Sequence, residues 1–389
     1  MLYPRMLMAL IVACVGLLPR AQGQNAADVH RLRNNLNCVD LSDLRGKLSL
    51  KASETAQILR VSEEWERSTW EPGGQRDSVG YPAVVVNDQG KNPDGKFYLY
   101  YAHHDPTSGI GCAISDSITG PYSKLSDIDS GREHSMVLVN PHYPGKSGDP
   151  SHYSSPCVVW NADEQLWFMY FHYYNHYHGA WKSDPKSPGA GDQMTALATC
   201  ADLSSHKWSV LKDPDVGKVS VHDIVPVLPT TKEAWMGSQS SYHAVARLAD
   251  GRWMAFLRGT PVEGLPTLGF ATSADGRRWQ YFEQNPVIHQ KQTRRSHQGI
   301  YRPGFIGYLG KNRKDEDEYL VVWTESPAAG DVPQPRYGYT TDFVRIRRDR
   351  RGYAGWPAGD GHIRAWREGN RLYLFTDKYV HTLKLRVAR

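Results

Sequence analysis

From about residue 78 the chain alternates short apolar runs with aromatic-rich runs, and a polar turn divides each pair. The first pair is Tyr81–Val86 and Phe97–Tyr101; the second is Ser155–Trp160 and Leu166–Phe171. The third is His243–Arg247 and Trp253–Leu257, joined by Ala249-Asp250-Gly251. Arg302–Gly307 with Tyr319–Trp323, and His362–Trp366 with Leu372–Phe375, complete the series. Runs this short, rich in β-branched and aromatic residues and bounded by Gly, Asp and Asn, predict strands joined as hairpins.

A weaker hairpin follows the first four pairs: Cys112–Asp116 with Gly120–Tyr122, Leu197–Asp202 with Lys207-Trp208, Gly269–Ser273 with Trp279, and Tyr337–Thr341 with Phe343. Four strands per unit, recurring every 60 to about 85 residues, predict the blades of a β-propeller. A single blade cannot enclose its own apolar strands, so blades must stack in a ring. The predicted fold is all-β: a five-bladed propeller over 78–389, preceded by a leader over 24–77 that packs on it. The segment around Trp65 and Trp70 is expected to complete the last blade. The competing fold is a β-sandwich with accidental internal similarity.

Innermost strands of a propeller converge on its axis, so the start of each first strand and the end of each second strand should share one region. The second strands end in His103-His104-Asp105, His172, Arg258, Thr324-Glu325 and Thr376-Asp377. The first strands begin near Tyr81, His152-Tyr153, Tyr242-His243, Arg302 and His362. Five blades thus deliver His, Asp, Glu, Arg and Tyr to one end of the ring, which predicts a polar pocket.

Glycoside cleavage needs a proton donor and a carboxylate, one on each side of the bond. Glu325 is the expected donor, because an apolar wall beyond Val321-Val322-Trp323 would raise its pKa. Asp105 and Asp377 are candidates for the base, with His104 as a further acid/base candidate. His103, His152, Tyr153, His172, His243, Arg258 and Arg302 are expected to bind substrate. Converging histidines would also suit a single divalent ion, calcium or zinc, near the axis; their spacing matches no short metal motif. His176 and His178 lie just beyond, in an aromatic stretch with Tyr173, Tyr174 and Tyr177 that would suit stacking on a sugar ring.

Composition narrows the class. Hydrophobic residues make up 40% and charged residues 22% of 389, which excludes wholesale disorder, collagen and a polytopic membrane protein. The 12 Trp, 22 Tyr, 35 Gly and 24 Pro suit many short strands and turns. A net charge of +5, spread along the chain, allows an acidic substrate and makes no case for nucleic acid. Arg5, the apolar run Met6–Leu18 and Ala21-Gln22-Gly23 have the form of an export signal cleaved after Gly23; a lipoprotein site at Cys14 is the rival reading. Export leaves Cys38, Cys112, Cys157 and Cys200, either as one or two disulfides or as buried thiols.

Several segments carry a family likeness: Tyr81–Val85 through Tyr98–His104, Ala113–Tyr122, Ser155–Asn161 and Ala271–Gly276. Through them the chain resembles the five-bladed propeller glycoside hydrolases around family 43, with families 32 and 117 as relatives. The resemblance implies a secreted or periplasmic enzyme cleaving a polysaccharide or oligosaccharide by carboxylate acid/base chemistry. It covers most of 78–389, with two departures. Family 43 enzymes usually carry an Asp directly before Pro at the start of the first blade, where this chain has Tyr81, and another after Pro in the next blade, where it has Cys157. Missing aspartates and abundant histidines keep two alternatives open: a polysaccharide lyase using His and Tyr on a uronate-containing glycan, and a sugar-binding propeller without turnover.

Overall fold

The computed structural model describes residues 36–43, 52–67, 79–103, 108–141, 143, 152–174, 193–215, 223–231, 235–261, 265–289, 300–325, 333–349 and 362–384. Among these residues the strands form five antiparallel units of four, in sequence order in the first four units, while Met136–Leu138 and Pro226–Leu228 pair additionally with the third strands of units one and two. Unit one is Gly80–Val86, Phe97–Ala102, Ile110–Ser115 and Ser123–Lys124. Unit two is Tyr153–Asn161, Leu166–Tyr174, Gln193–Cys200 and Ser209–Val210. Unit three is Gln239–Arg247, Trp253–Thr260, Thr267–Ser273 and Gln280–Tyr281. Unit four is Ile300–Lys311, Asp317–Glu325, Gln334–Thr340 and Arg347–Arg348. Unit five is Arg364–Glu368, Arg371–Phe375 and Tyr379–Lys384, with Ala52–Gln57 as its outer strand.

The aromatic second strands are apolar on both faces because each lies between two neighbours. Tyr98 and Tyr100 share a buried layer with Trp167, Met169 and Phe171 of unit two. The alternate residues Phe168 and Tyr170 pack with Trp253, Ala255 and Leu257 of unit three. Met254 and Phe256 meet Tyr319, Val321 and Trp323 of unit four. Leu320 and Val322 meet Leu372 and Leu374 of unit five. Tyr373 and Phe375 return to Leu99 and Tyr101 of unit one. Successive side chains of a strand point to opposite faces, so odd and even positions serve different neighbours and the layers close a ring.

The turn after the third strand recurs in units three and four. Ser273 Oγ accepts the backbone N–H of Asp275 and Gly276, and Asp275 caps Arg277 and Arg278. Thr340 and Asp342 repeat this in unit four. Side chains that bond backbone locally favour such turns.

The leader is built into the ring. Cys38–Asp40 runs parallel to Ile306–Tyr308 of unit four, and Leu36 accepts the N–H of Ala365 in unit five at 3.0 Å. These residues therefore wedge between the two units. Ala52–Gln57 pairs antiparallel with Tyr379–Lys384 and completes unit five, the role that the sequence pattern assigns to the Trp65–Trp70 region. Trp65 instead stacks on Tyr101 of unit one, ring centres 5.7 Å apart; Trp70 lies outside the described residues. Leader residues become strand because two open sheet edges are available to them. Among the described residues Cys38, Cys112, Cys157 and Cys200 are buried free thiols, which settles the question of disulfides among them. No described helix is long and apolar enough to cross a membrane. The signal-like residues 1–23 lie outside the described residues.

One buried ion pair locks the leader to unit one. Lys124 Nζ lies 2.5 and 2.6 Å from the two carboxylate oxygens of Glu66 and also donates to Ser62 Oγ and the Arg60 carbonyl. Glu66 also accepts the Tyr101 hydroxyl and the N–H groups of Ser62 and Glu63. Removing one member of such a pair strands the other charge. Lys124→Ala should therefore lower unfolding stability by about 3–5 kcal/mol, read from chemical denaturation; Lys124→Met should cost as much or nearly so, since it too leaves Glu66 unpaired.

Candidate active site at the propeller axis

The first strands enter the ring through a kink. In units one, two and three the pairing skips two residues, between Gly80 and Ala83, Ser154 and Cys157, and Ser241 and Ala244. The first skipped residue is left-handed each time: Tyr81 at φ 59°, Ser155 at φ 52° and Tyr242 at φ 50°. A non-glycine residue held there costs on the order of 1–3 kcal/mol. Bulges of this kind redirect a side chain out of the regular pleat.

That redirection assembles the site. The rings of Tyr81 and Tyr242, from units one and three, stand 6.3 Å apart. His362, at the entrance to unit five, lies 4.5 Å from Tyr81 and 6.1 Å from Tyr242. Rings from units that are not neighbours can meet only across the axis. Two guanidiniums converge on the same Tyr242 ring: Arg258 of unit three at 4.0 Å and Arg302 of unit four at 4.8 Å. Arg302 also donates to the Tyr81 hydroxyl at 3.3 Å, and Arg258 donates to Gln239. Both side chains are buried.

A histidine pair borders this cluster. His152 Nε2 and His172 Nε2 are 3.1 Å apart. One nitrogen must donate and the other accept, so the two imidazoles cannot both be cationic in this arrangement. The His172 ring lies 4.9 Å from Tyr242, and the His152 ring 5.1 Å from Tyr174. Asp377 follows the second strand of unit five and is buried against Gly80 of unit one. A Cβ at Gly80 would stand 3.0 Å from that of Asp377, so only glycine lets the carboxylate approach this closely.

Beneath the cluster, Arg364 ties units together. Its guanidinium donates to the carbonyls of Pro303, Gly304 and His243 at 2.8, 2.7 and 3.0 Å. Burial, and then the Arg302 charge, lowers its pKa to about 10, with Asp377 pulling the other way. Arg364 thus feels the charges of both Arg302 and Asp377.

Of the residues expected from the sequence, the structure brings His152, His172, Arg258, Arg302 and Asp377 into this one region. Others go elsewhere. Glu325 does not meet an apolar wall: its oxygens accept the Trp323 indole N–H at 2.8 Å and pair with Arg336 and Arg348 on the outer strands at 3.5 and 3.4 Å. Its neighbour Thr324 turns inward, donating to the Arg302 carbonyl, and strand alternation sends Glu325 the other way. Tyr153 lies in the apolar layer between units one and two, 5.1 Å from Phe171. His103 is buried beneath Trp65, rings 5.8 Å apart. His104 and Asp105 lie outside the described residues, as do His176, Tyr177 and His178. Among the described residues no three His, Cys, Asp or Glu side chains gather closely enough to hold a metal ion. Sequence reasoning sends Tyr81, Tyr242 and His362 to the axial end of the ring, His362 among the converging histidines, but gives neither tyrosine a role. The signal was the aromatic residue directly before Pro or His at the start of a first strand.

His243, expected to bind substrate, is fully buried between units two and three. Thr195 donates its hydroxyl to the Ser240 carbonyl at 2.7 Å, so it accepts from His243 Nδ1 at 3.0 Å. Burial foremost, helped by the Arg364 charge, holds this imidazole at about pKa 3 against an ordinary 6.5. The folded state thus refuses a proton that the unfolded chain takes up. Stability should fall as pH drops below about 6.5, by at most about 1.4 kcal/mol per pH unit from this group. Denaturation of the parent and His243→Gln between pH 7 and 4 should show a flatter slope in the variant.

The ring of four-stranded units has the fold of solved glycoside hydrolases. No family model matches the chain. Among solved structures, a glycoside hydrolase aligns with a TM-score of 0.52 at 12% identity, covering 87% of this chain and 93% of that one. Zg3597, a family 117 glycoside hydrolase of Zobellia galactanivorans, gives 0.51 at 11% identity over 89% and 92%. A structure from the GH130 family, which contains glycoside hydrolases that target β-1,2 mannosidic linkages in Candida mannan, gives 0.50 at 14% over 87% and 94%. In sequence, the chain is 32% identical over 107 residues to an extracellular endo-α-(1→5)-L-arabinanase of Thermotoga petrophila. That match covers 24% of this chain and 20% of the arabinanase, so the chain spans about a fifth of that relative.

Proposed function

We propose that the chain is a secreted glycoside hydrolase that cleaves a glycosidic bond at the axial cluster. The observation that carries this is the buried Asp377 carboxylate in the same axial region as the His152–His172 pair, Arg258 and Arg302. The shared fold with glycoside hydrolase propellers and the local likeness to an extracellular arabinanase support it. The export-like N-terminus and that relative support secretion. Hydrolysis needs one group to protonate the leaving oxygen and another to accept a proton from water or to attack the sugar. Asp377 is the carboxylate we assign to the chemistry. Asp105 and His104, which follow Phe97–Ala102 closely in the sequence, are nominated as its partner.

A second reading is β-elimination from an acidic sugar. It is favoured by one observation: the described axial cluster contains more imidazole, phenol and guanidinium groups than carboxylates. Incubating the purified protein with neutral and acidic polysaccharides decides between them. New reducing ends without near-ultraviolet absorbance indicate hydrolysis; reducing ends with that absorbance indicate elimination, because only elimination creates a conjugated double bond. Binding with neither signal would leave a lectin-like propeller. Under the hydrolase reading Asp377→Asn should lower kcat by about 100-fold or more, while Glu325→Gln should stay within about threefold. Full activity in Asp377→Asn would overturn the assignment.

A further inference from the structure

We infer that the sugar held at the axis is anionic, its carboxylate gripped between Arg258 and Arg302 above the Tyr242 ring. The inference deepens the proposed function, from which it takes only the idea that a glycan occupies the axis. Its own support is geometric. Two arginines arrive from different units, and their guanidiniums lie 4.0 and 4.8 Å from the centre of one phenol ring. Both are buried, at 8% and 5% exposure. Each guanidinium is held through one Nη2: Arg258 donates to Gln239, which also accepts from Thr260 at 2.8 Å, and Arg302 donates to Tyr81.

Recognition of a neutral sugar does not call for this. Hydroxyl groups are served by amides, carboxylates and single donors. Two desolvated, immobilised guanidiniums suit a planar anion, because each can present paired N–H donors to carboxylate oxygens. Arginine stacked on an aromatic face keeps its donor edge in plane and directed past the ring. The left-handed Tyr242 is what makes this possible, since its redirected ring is the surface both guanidiniums share. The cost of that backbone state is offset where it positions a binding platform. Arg364 adds a third positive charge below the platform, close enough for Arg302 to lower its pKa. Three arginines stand against the one described carboxylate of the cluster, Asp377, so the field at the axis favours an acidic ligand, of the class of uronic acid residues.

The test measures binding, not turnover. Full-length protein is titrated calorimetrically with polygalacturonate, alginate and glucuronan, and with the carboxyl-reduced form of each, which keeps the backbone and removes the charge. At least one acidic polymer should bind about tenfold or more tightly than its reduced form, and added salt should weaken only the acidic one. Arg302→Gln and Arg258→Gln, from different units, should each abolish the preference, while Arg302→Lys should retain part of it. Thermal melts identify any variant that fails to fold, and the other variant then carries the test. Equal affinity for charged and reduced polymers, no binding of any acidic polymer, or a preference that survives in both folded Gln variants would overturn the inference. Cleavage of a neutral glycan without acid preference would defeat this inference alone. Acid-selective binding with no cleavage would defeat only the hydrolase reading.

Discussion

The structure depends on closure of the ring, and closure depends on one antiparallel pairing. Unit five has three strands at the C-terminal end of the chain and takes its fourth, Ala52–Gln57, from near the N-terminus. Each strand face is covered only by a neighbouring unit, so an open ring would expose two aromatic layers rather than one edge. Burial of apolar surface is the main stabilising term, and no local contact could replace the layer between Tyr373 and Phe375 on one side and Leu99 and Tyr101 on the other. The leader reinforces that seam: Trp65 lies within the same layer, and the Glu66–Lys124 pair fastens it to unit one. A second piece, Leu36–Leu41, fills the neighbouring seam between units four and five.

The same stacking explains why polar side chains collect at the axis. Between units the available space is filled by side chains such as Phe168 against Trp253, ring centres 5.9 Å apart. Towards the axis the strands converge, and backbone carbonyls of three units face one point beside the ring cluster. Arg364 is the response to that geometry: a buried cation whose guanidinium is solvated by carbonyls of units three, four and five in place of water. Buried charge is tolerable when its hydrogen bonds are met. Above it, the kinks at Tyr81 and Tyr242 turn aromatic residues out of the sheet and onto the axis, where they carry the arginines. Strain in three equivalent backbone positions is held in place by the packing of the units around them.

The repeat is readable because its physics is local. Alternating apolar and aromatic runs with Asp-Gly and Ser-x-Asp turns prescribe hairpins wherever they occur, and their recurrence prescribes a ring. The polar strand ends follow the same periodicity, which is enough to place His152, His172, Arg258, Arg302 and Asp377 in one region. The failures share a cause. Glu325 reads as axial because its strand ends there, yet a single step of strand alternation decides which way a side chain points. His243 and Tyr242 exchange inside and outside through a two-residue bulge, which periodicity does not reveal.

What the amino-acid sequence determined by itself was the unit: four strands, their order, and the chemistry available at their ends. Tertiary structure decided the rest. It chose Ala52–Gln57 rather than the Trp65 region as the closing strand, left the four cysteines as separate buried thiols, and sent Glu325 to Arg336 and Arg348 while Tyr81, Tyr242 and His362 met across the axis. The physical reason is range. Hairpins and turns are settled by neighbours a few residues apart, whereas the axial cluster joins residues as distant as Tyr81 and His362, whose meeting exists only once the ring has closed.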